Sequence, residues 1–212
     1  KPLTVAEIIG RLGIPKSTAY ELVNTLSEAG YLAPQGGDNR LFLGRKLFEL
    51  GSAYRNQVDL IKDGSRTIEE LRNLTGETVQ LSVLDGDMML VLMKEEGSNP
   101  IRIVSQVGSR VPVNWAASGR LLVSDLDDRA LRDLLTGTVR QSPSGRAKLD
   151  VGVLVKEVRN ARKQGYATEV NETNEHAGCV AAPVFDSSGR CVAAISIVAP
   201  AARLTPSSRT KL

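Results

Sequence analysis

The chain has 212 residues, 42% of them hydrophobic and 24% charged, with a formal net charge of +3. That length suits two domains with buried cores. No apolar run approaches the roughly 18 residues of a membrane helix and no charged-then-apolar leader precedes the first motif, so a cytoplasmic location with no membrane partner is expected. Two cysteines, Cys179 and Cys191, are too few for a disulfide scaffold and fit a reducing compartment. The basic balance permits nucleic-acid binding without carrying it, since residues 1–50 hold six basic and five acidic side chains.

Thr4-Val5-Ala6-Glu7 has the spacing of a capping box, and Val5, Ile8, Ile9 and Leu12 follow at helical intervals. Because this signal stands at the very start of the chain, an upstream supporting helix is expected to be missing. Gly13 ends the first helix, Pro15 suits the first position of a second, and Gly30 stops that one near Ala29. On a wheel of about 100° per residue, Ala19, Leu22, Val23, Leu26 and Ala29 form a core stripe. Lys16, Ser17, Tyr20, Asn24 and Ser27 gather opposite. Two short helices joined by a tight turn predict a helix-turn-helix, with Tyr31-Leu32 and Arg40–Leu43 flanking a turn-rich loop as its wing. Lys16 and Arg40 are then candidates to neutralise phosphates of a double-stranded DNA operator. Ser17, Thr18, Tyr20 and Asn24 are candidates to position or read it.

From Arg45, Leu47, Leu50, Tyr54, Val58 and Ile61 recur at spacings of three and four. Gly64-Ser65 is expected to interrupt that helix, and Ile68, Leu71 and Leu74 to resume it up to Gly76. The domain expectation is a DNA-binding domain over 1–44, linker and dimerisation helices over 45–75, and a sensor domain over 76–212. Packing of the linker helix on its own chain fits the pattern as well as dimerisation does; two half-sites tilt the choice to a homodimer.

Val79–Leu84, a turn at Asp85-Gly86-Asp87 and Met88–Met93 read as a hairpin, and Ile101–Val104 as a further strand. Helices are expected over Trp115–Leu126, Asp127–Leu135 and Val151–Gln164, then strands over Gly178–Phe185 and Arg190–Ala199. The class is α+β with an antiparallel sheet. A final hairpin symmetric about Ser187-Ser188 sets Cys179 opposite Ser196 and sends Cys191 through the other face, leaving two free thiols. An enzyme using Cys179 with His176 is disfavoured, because three residues of extended chain separate them by about 10 Å and turn them to opposite faces. The same parity denies Cys179, Cys191 and His176 a tetrahedral metal site, and no cofactor is expected.

In combination and order, several of these stretches resemble the IclR family of bacterial transcriptional regulators. They are Leu12-Gly13-Ile14-Pro15-Lys16-Ser17-Thr18-Ala19-Tyr20 with the wing, Gly108–Val113 leading into Ala116-Ala117-Ser118-Gly119-Arg120, Gly165–Glu169, Cys179–Asp186, and Ala194-Ile195-Ser196-Ile197. The resemblance spans nearly the whole chain. It implies a winged helix-turn-helix, a linker helix and a GAF-like effector-binding domain, in dimers or tetramers. It implies a repressor of a catabolic operon controlled by a small organic acid, not an enzyme; a protein-interaction sensor module is the alternative. Relatives that bind small oxoacids hold them against a small-residue helix start, matched by Ala117 and Ser118. An acidic residue at the place of Glu169, a cysteine matching Cys179 and two serines on the last strand complete their set. Ser196 matches the first serine, Val198 replaces the second, and Glu169 stands where an aspartate is familiar. With Trp115 as an aromatic wall, this pocket points to a larger acid, aromatic or hydroxylated.

Overall fold

The computed structural model describes residues 2–35, 39–57, 59–98 and 106–204, which form two compact units, Lys1–Lys62 and Asp63–Leu212. Val58 and the segment 101–104, read above as part of a helix and as a strand, lie outside the described residues.

The first unit holds α1 (Val5–Leu12), α2 (Lys16–Glu28), β1 (Leu32–Gln35), β2 (Arg40–Leu43) and α3 (Arg45–Gln57). The capping box forms as the sequence dictates: the Glu7 N–H donates to the Thr4 hydroxyl at 3.2 Å and the Thr4 N–H to the Glu7 carboxylate at 2.7 Å. Gly13 closes α1 at φ 64°, a left-handed conformation that glycine adopts without a Cβ clash. Pro15 caps α2 from outside, so the helix starts at Lys16. Strands β1 and β2 pair antiparallel, and Leu3 bonds Leu41 in both directions at 2.8 and 3.1 Å, adding a third short partner to the wing. Of the expected core stripe on α2 only Ala19 and Val23 are buried; Leu22 and Leu26 remain 50% and 41% exposed. Sequence periodicity marks an apolar stripe, but burial needs an element lying over it.

The second unit takes in most of α4 (Asp59–Thr75), then β3 (Thr78–Asp85), β4 (Met88–Glu95), β5 (Arg110–Pro112), α5 (Ala117–Leu122), α6 (Asp128–Thr138), α7 (Val151–Gln164), β6 (Ala167–Val170), β7 (Ala177–Phe185) and β8 (Cys191–Pro200). Six strands form one antiparallel sheet in the order β5-β4-β3-β8-β7-β6. Helix α4 runs unbroken through Gly64, against expectation. A Cβ there would come within 2.7 Å of the Leu81 side chain, so the glycine serves close packing of helix on sheet. Leu81 and Val79, on that face of β3, are fully buried.

The opposite face carries Met89, Val91, Cys179, Ala181 and Ala194, which pack with Ala117, Leu121 and Leu122 of α5. A second cluster joins Val113 and Val123 to Leu131, Leu135, Leu154, Val155 and Val158 of α6 and α7. Asp127 and Asp150 cap these two helices, each accepting a backbone N–H at 2.8 Å.

Helix α5 is shorter than the expected Trp115–Leu126, and Gly119 fixes its seat. A Cβ on Gly119 would meet the Val113 carbonyl oxygen at 2.3 Å and its Cα at 2.7 Å, both backbone atoms that cannot step aside. Gly119→Ala should therefore lower the unfolding free energy by about 2 kcal/mol or more, read as a lowered urea midpoint; an unchanged midpoint would show that the segment yields.

The β7–β8 register also differs from the symmetric hairpin. Cys179 faces Val198 and Ala181 faces Ser196, because the turn after Phe185 is asymmetric and Val192 is an extra residue between Val184↔Ala193 and Phe185↔Cys191. A slip of two residues preserves side-chain parity, so Ser196 keeps the face of Cys179. The bulge does alter Cys191, which packs at the margin of the same apolar cluster as Cys179 and not through the opposite face. Both thiols are free.

Candidate effector site and DNA interface

On the first unit, Lys16, Ser17, Thr18, Tyr20 and Asn24 all lie exposed along α2. The Lys16 ammonium stands 6.0 Å from the centre of the Tyr20 ring, at the outer limit of a cation–π contact. Arg40 is less free than the sequence suggests. Its guanidinium donates to the Pro2 carbonyl at 3.3 Å and lies 3.6 Å from the Glu7 carboxylate, so a phosphate would compete with an existing partner.

On the second unit, a cavity of about 60 Å³ opens between the sheet and the start of α5. Of the residues singled out in the sequence, Ser118, Glu169, Cys179, Ser196 and Val198 line it together. Sheet register explains the convergence. Glu169 pairs with Cys179 across β6 and β7, Cys179 pairs with Val198 across β7 and β8, and Ser196 lies two residues along on the same face. Ala117 does not line the space; it is fully buried, and its backbone N–H faces the Cys179 sulfur. Trp115 is not part of the wall either. It precedes α5, and its indole N–H donates to the Arg140 carbonyl at 2.9 Å, which holds the ring against the loop after α6.

The cavity also takes Gln80, Thr173 and Asn174, which sequence reasoning missed. Gln80 was legible in part: it alternates with Val79 and Leu81 in an evident strand. Alternation reads as one wet face, yet β3 is covered on both, so its polar residue sits 5% exposed opposite Ser196. Thr173 and Asn174 belong to the 171–176 loop, whose course has no periodic signal. Asn171 and His176 hold its ends in left-handed conformations, each at φ 63°, and the Thr173 hydroxyl ties it to the Trp115 carbonyl at 2.6 Å.

Burial is the leading cause that raises the Glu169 carboxyl to about 7; the neighbouring Glu172 adds to it, while the Glu172 N–H, donating at 3.0 Å, and Arg120 oppose it. The Cys179 thiol, 3.9 Å from Glu169, is pushed up to about 12 by burial first and by that carboxyl second. Cys179 therefore meets the cavity as a neutral thiol, unlike an activated nucleophile. Behind Glu169, the 3% exposed Arg120 is bonded to the Glu172 carboxylate, donates to the Thr168 carbonyl at 3.1 Å and lies 3.3 Å from Glu157. Lys148 pairs with the same two glutamates, and the Ser142 and Ser144 hydroxyls donate to the Glu172 carbonyl. Among the described residues no three His, Cys, Asp or Glu side chains are grouped to hold a metal ion, and no helix is long and apolar enough to cross a membrane.

A small cavity with hydroxyl, thiol, amide and carboxyl groups on apolar walls suits a small polar organic molecule. The exposed face of a helix-turn-helix suits a DNA groove. Comparison with known proteins agrees on both units. Residues 1–36 match the model of the IclR helix-turn-helix domain, and residues 52–212 the model of the bacterial transcriptional regulator IclR C-terminal domain. The transcriptional regulator KdgR of Escherichia coli is 31% identical over 205 residues, covering 97% of this chain and 78% of KdgR. The transcriptional repressor AllR of Klebsiella pneumoniae is 30% identical over 203 residues, covering 96% and 75%. An IclR homologue from Microbacterium hydrocarbonoxydans, solved in complex with 4-hydroxybenzoate, superposes with a TM-score of 0.84 at 24% identity, over 99% of this chain and 86% of that one. The chain belongs to the IclR family of bacterial transcriptional regulators.

Proposed function

We propose that the chain is a repressor whose grip on an operator is released by a small organic acid, aromatic or hydroxylated, bound in the cavity beneath α5. The observation that carries the reading is the convergence of Ser118, Glu169, Cys179 and Ser196, with Gln80 and Asn174, on one space in the second unit. AllR, a named repressor, and the homologue complexed with 4-hydroxybenzoate support the sign of regulation and the ligand class. In this reading the hydroxyls, thiol and amides orient the acid, Val198 and Met89 supply apolar contact, and Lys16, Ser17, Thr18, Tyr20 and Asn24 meet the DNA. Arg40 joins them by exchanging Glu7 for a phosphate. The chain would act as a homodimer or tetramer; Leu47, Phe48 and Leu50 on α3, which are 39%, 74% and 47% exposed, offer apolar surface for that contact.

The test is a gel shift on a duplex selected from a randomised pool, with and without acid. Lys16→Ala with Tyr20→Ala should weaken binding at least about tenfold with the melting temperature unchanged, since both side chains are exposed and phosphate or base contacts are worth about 1–3 kcal/mol. An effective acid should release wild-type protein but not Ser118→Trp, whose indole would occupy the cavity. Undiminished DNA affinity of the double variant would sink the assignment of α2 as the reading helix, and equal release of Ser118→Trp would sink the cavity.

A further inference from the structure

The cavity poses an electrostatic problem for an acid. Glu169 lines it, 5% exposed, and among the described residues no Lys, Arg or His lines it. Helix α5 has six residues and so a small dipole, and the N–H of its first residue, Ala117, already faces the Cys179 sulfur. The groups packed around Glu169 do not supply a positive charge either. Across the sheet, β7 presents the neutral Cys179 thiol. From α5 comes Arg120, committed to Glu172, Glu157 and the Thr168 carbonyl. The 171–176 loop adds the Glu172 carboxylate, and behind it Lys148, just before α7, and Glu157 on α7 complete a network in which Arg120 and Lys148 balance Glu157 and Glu172. A ligand carboxylate beside an ionised Glu169 would be two like charges in a site of low polarity, and only one of them can stay charged.

The geometry points to a shared proton: an acid effector binds as its carboxylate together with one proton from solvent, which sits on Glu169 and is donated to a ligand carboxylate oxygen. Effector binding is then proton-linked, and the repressor responds to acidity as well as to the acid. This rests on the acid-effector reading above. The step balances as one carboxylate and one proton taken up, and the same two released on dissociation. Below the range in which Glu169 titrates, the proton is already in place and affinity is flat. Above it, each pH unit weakens binding about tenfold. With the free carboxyl near 7, affinity should fall about tenfold between pH 6 and pH 8.

Isothermal titration of the full chain with 4-hydroxybenzoate, benzoate and 2-oxobutyrate at pH 6 and pH 8, in two buffers of different ionisation enthalpy, tests this. The expected result is about tenfold tighter binding at pH 6 and uptake of close to one proton per acid at pH 8. Glu169→Gln, a neutral isostere, should bind the same acid with flat pH dependence and no proton uptake. Wild-type affinity that is equal at both pH values, with no proton exchanged, would overturn the shared proton and leave the acid-effector reading intact. Binding of none of the acids at either pH would remove both. Should the variant fail to fold, the buffer dependence of the wild type decides alone.

Discussion

Replacing Arg120 by methionine should remove about 3–5 kcal/mol of stability, the usual consequence of deleting one member of a buried ion-pair network. Arg120 is 3% exposed and joins three elements: Glu157 on α7, Glu172 in the loop after β6 and the Thr168 carbonyl on β6 itself. Methionine approximates the aliphatic stem, so packing is nearly kept while, among the described residues, the Glu172 carboxylate keeps Lys148 as its one cation. The effect is read as a lowered urea midpoint at pH 7. Adding Glu172→Gln to Arg120→Met should recover part of the loss, because it removes the carboxylate left behind. Arg120→Lys should not rescue, since a point-like ammonium cannot reach three partners in a guanidinium's fan. Wild-type stability in Arg120→Met would mean that the network contributes no more than its desolvation takes away.

Glu169→Gln should stabilise the free protein at alkaline pH and leave it unchanged near pH 4.5. Burial raises the folded-state carboxyl from 4.5 to about 7, so the folded chain holds a proton that the unfolded chain has already lost. Wild-type stability from this group is therefore full below about pH 4.5, declines as pH rises and is lost above about pH 7; a shift of that size corresponds to about 3 kcal/mol. Glutamine is neutral throughout and its carbonyl can keep the bond from the Glu172 N–H. At pH 8.5 the variant should exceed wild type by up to about 3 kcal/mol in thermal or urea unfolding, and the gap should close towards pH 4.5. A gap constant with pH would place the Glu169 titration outside this range.

Much of the fold is legible in the residues. Thr4, Glu7 and Gly13 set the bounds of α1 through capping chemistry, Pro15 marks the start of α2 by its fixed φ, and the stripe Leu154, Val155, Val158 and Ala161 with the stop at Gly165 marks α7. Strand β6 was not legible, because four residues after a helix stop give too little alternation to stand out. Leu22 and Leu26 lie on the apolar stripe yet stay half-exposed, since the wheel gives a direction and not a partner. The candidate cavity was half legible: Ser118, Glu169, Cys179, Ser196 and Val198 follow from family motifs, while Gln80, Thr173 and Asn174 do not.

Local sequence determined the chain's output device, the capped helix pair with its hydrogen-bonding face, because capping boxes, helix stops and apolar periodicity act over a few residues and need no distant partner. Tertiary structure decided the rest of the candidate cavity. The cover on both faces of β3 buries Gln80 opposite Ser196, the 171–176 loop brings in Thr173 and Asn174, and the bulge at Val192 turns Cys191 to the face of Cys179; none of these is written in any short window. The absence of a cation from the described lining of the cavity likewise exists only once residues from several elements have converged on it. Charge in a buried site is a sum over neighbours that the chain brings together from positions far apart.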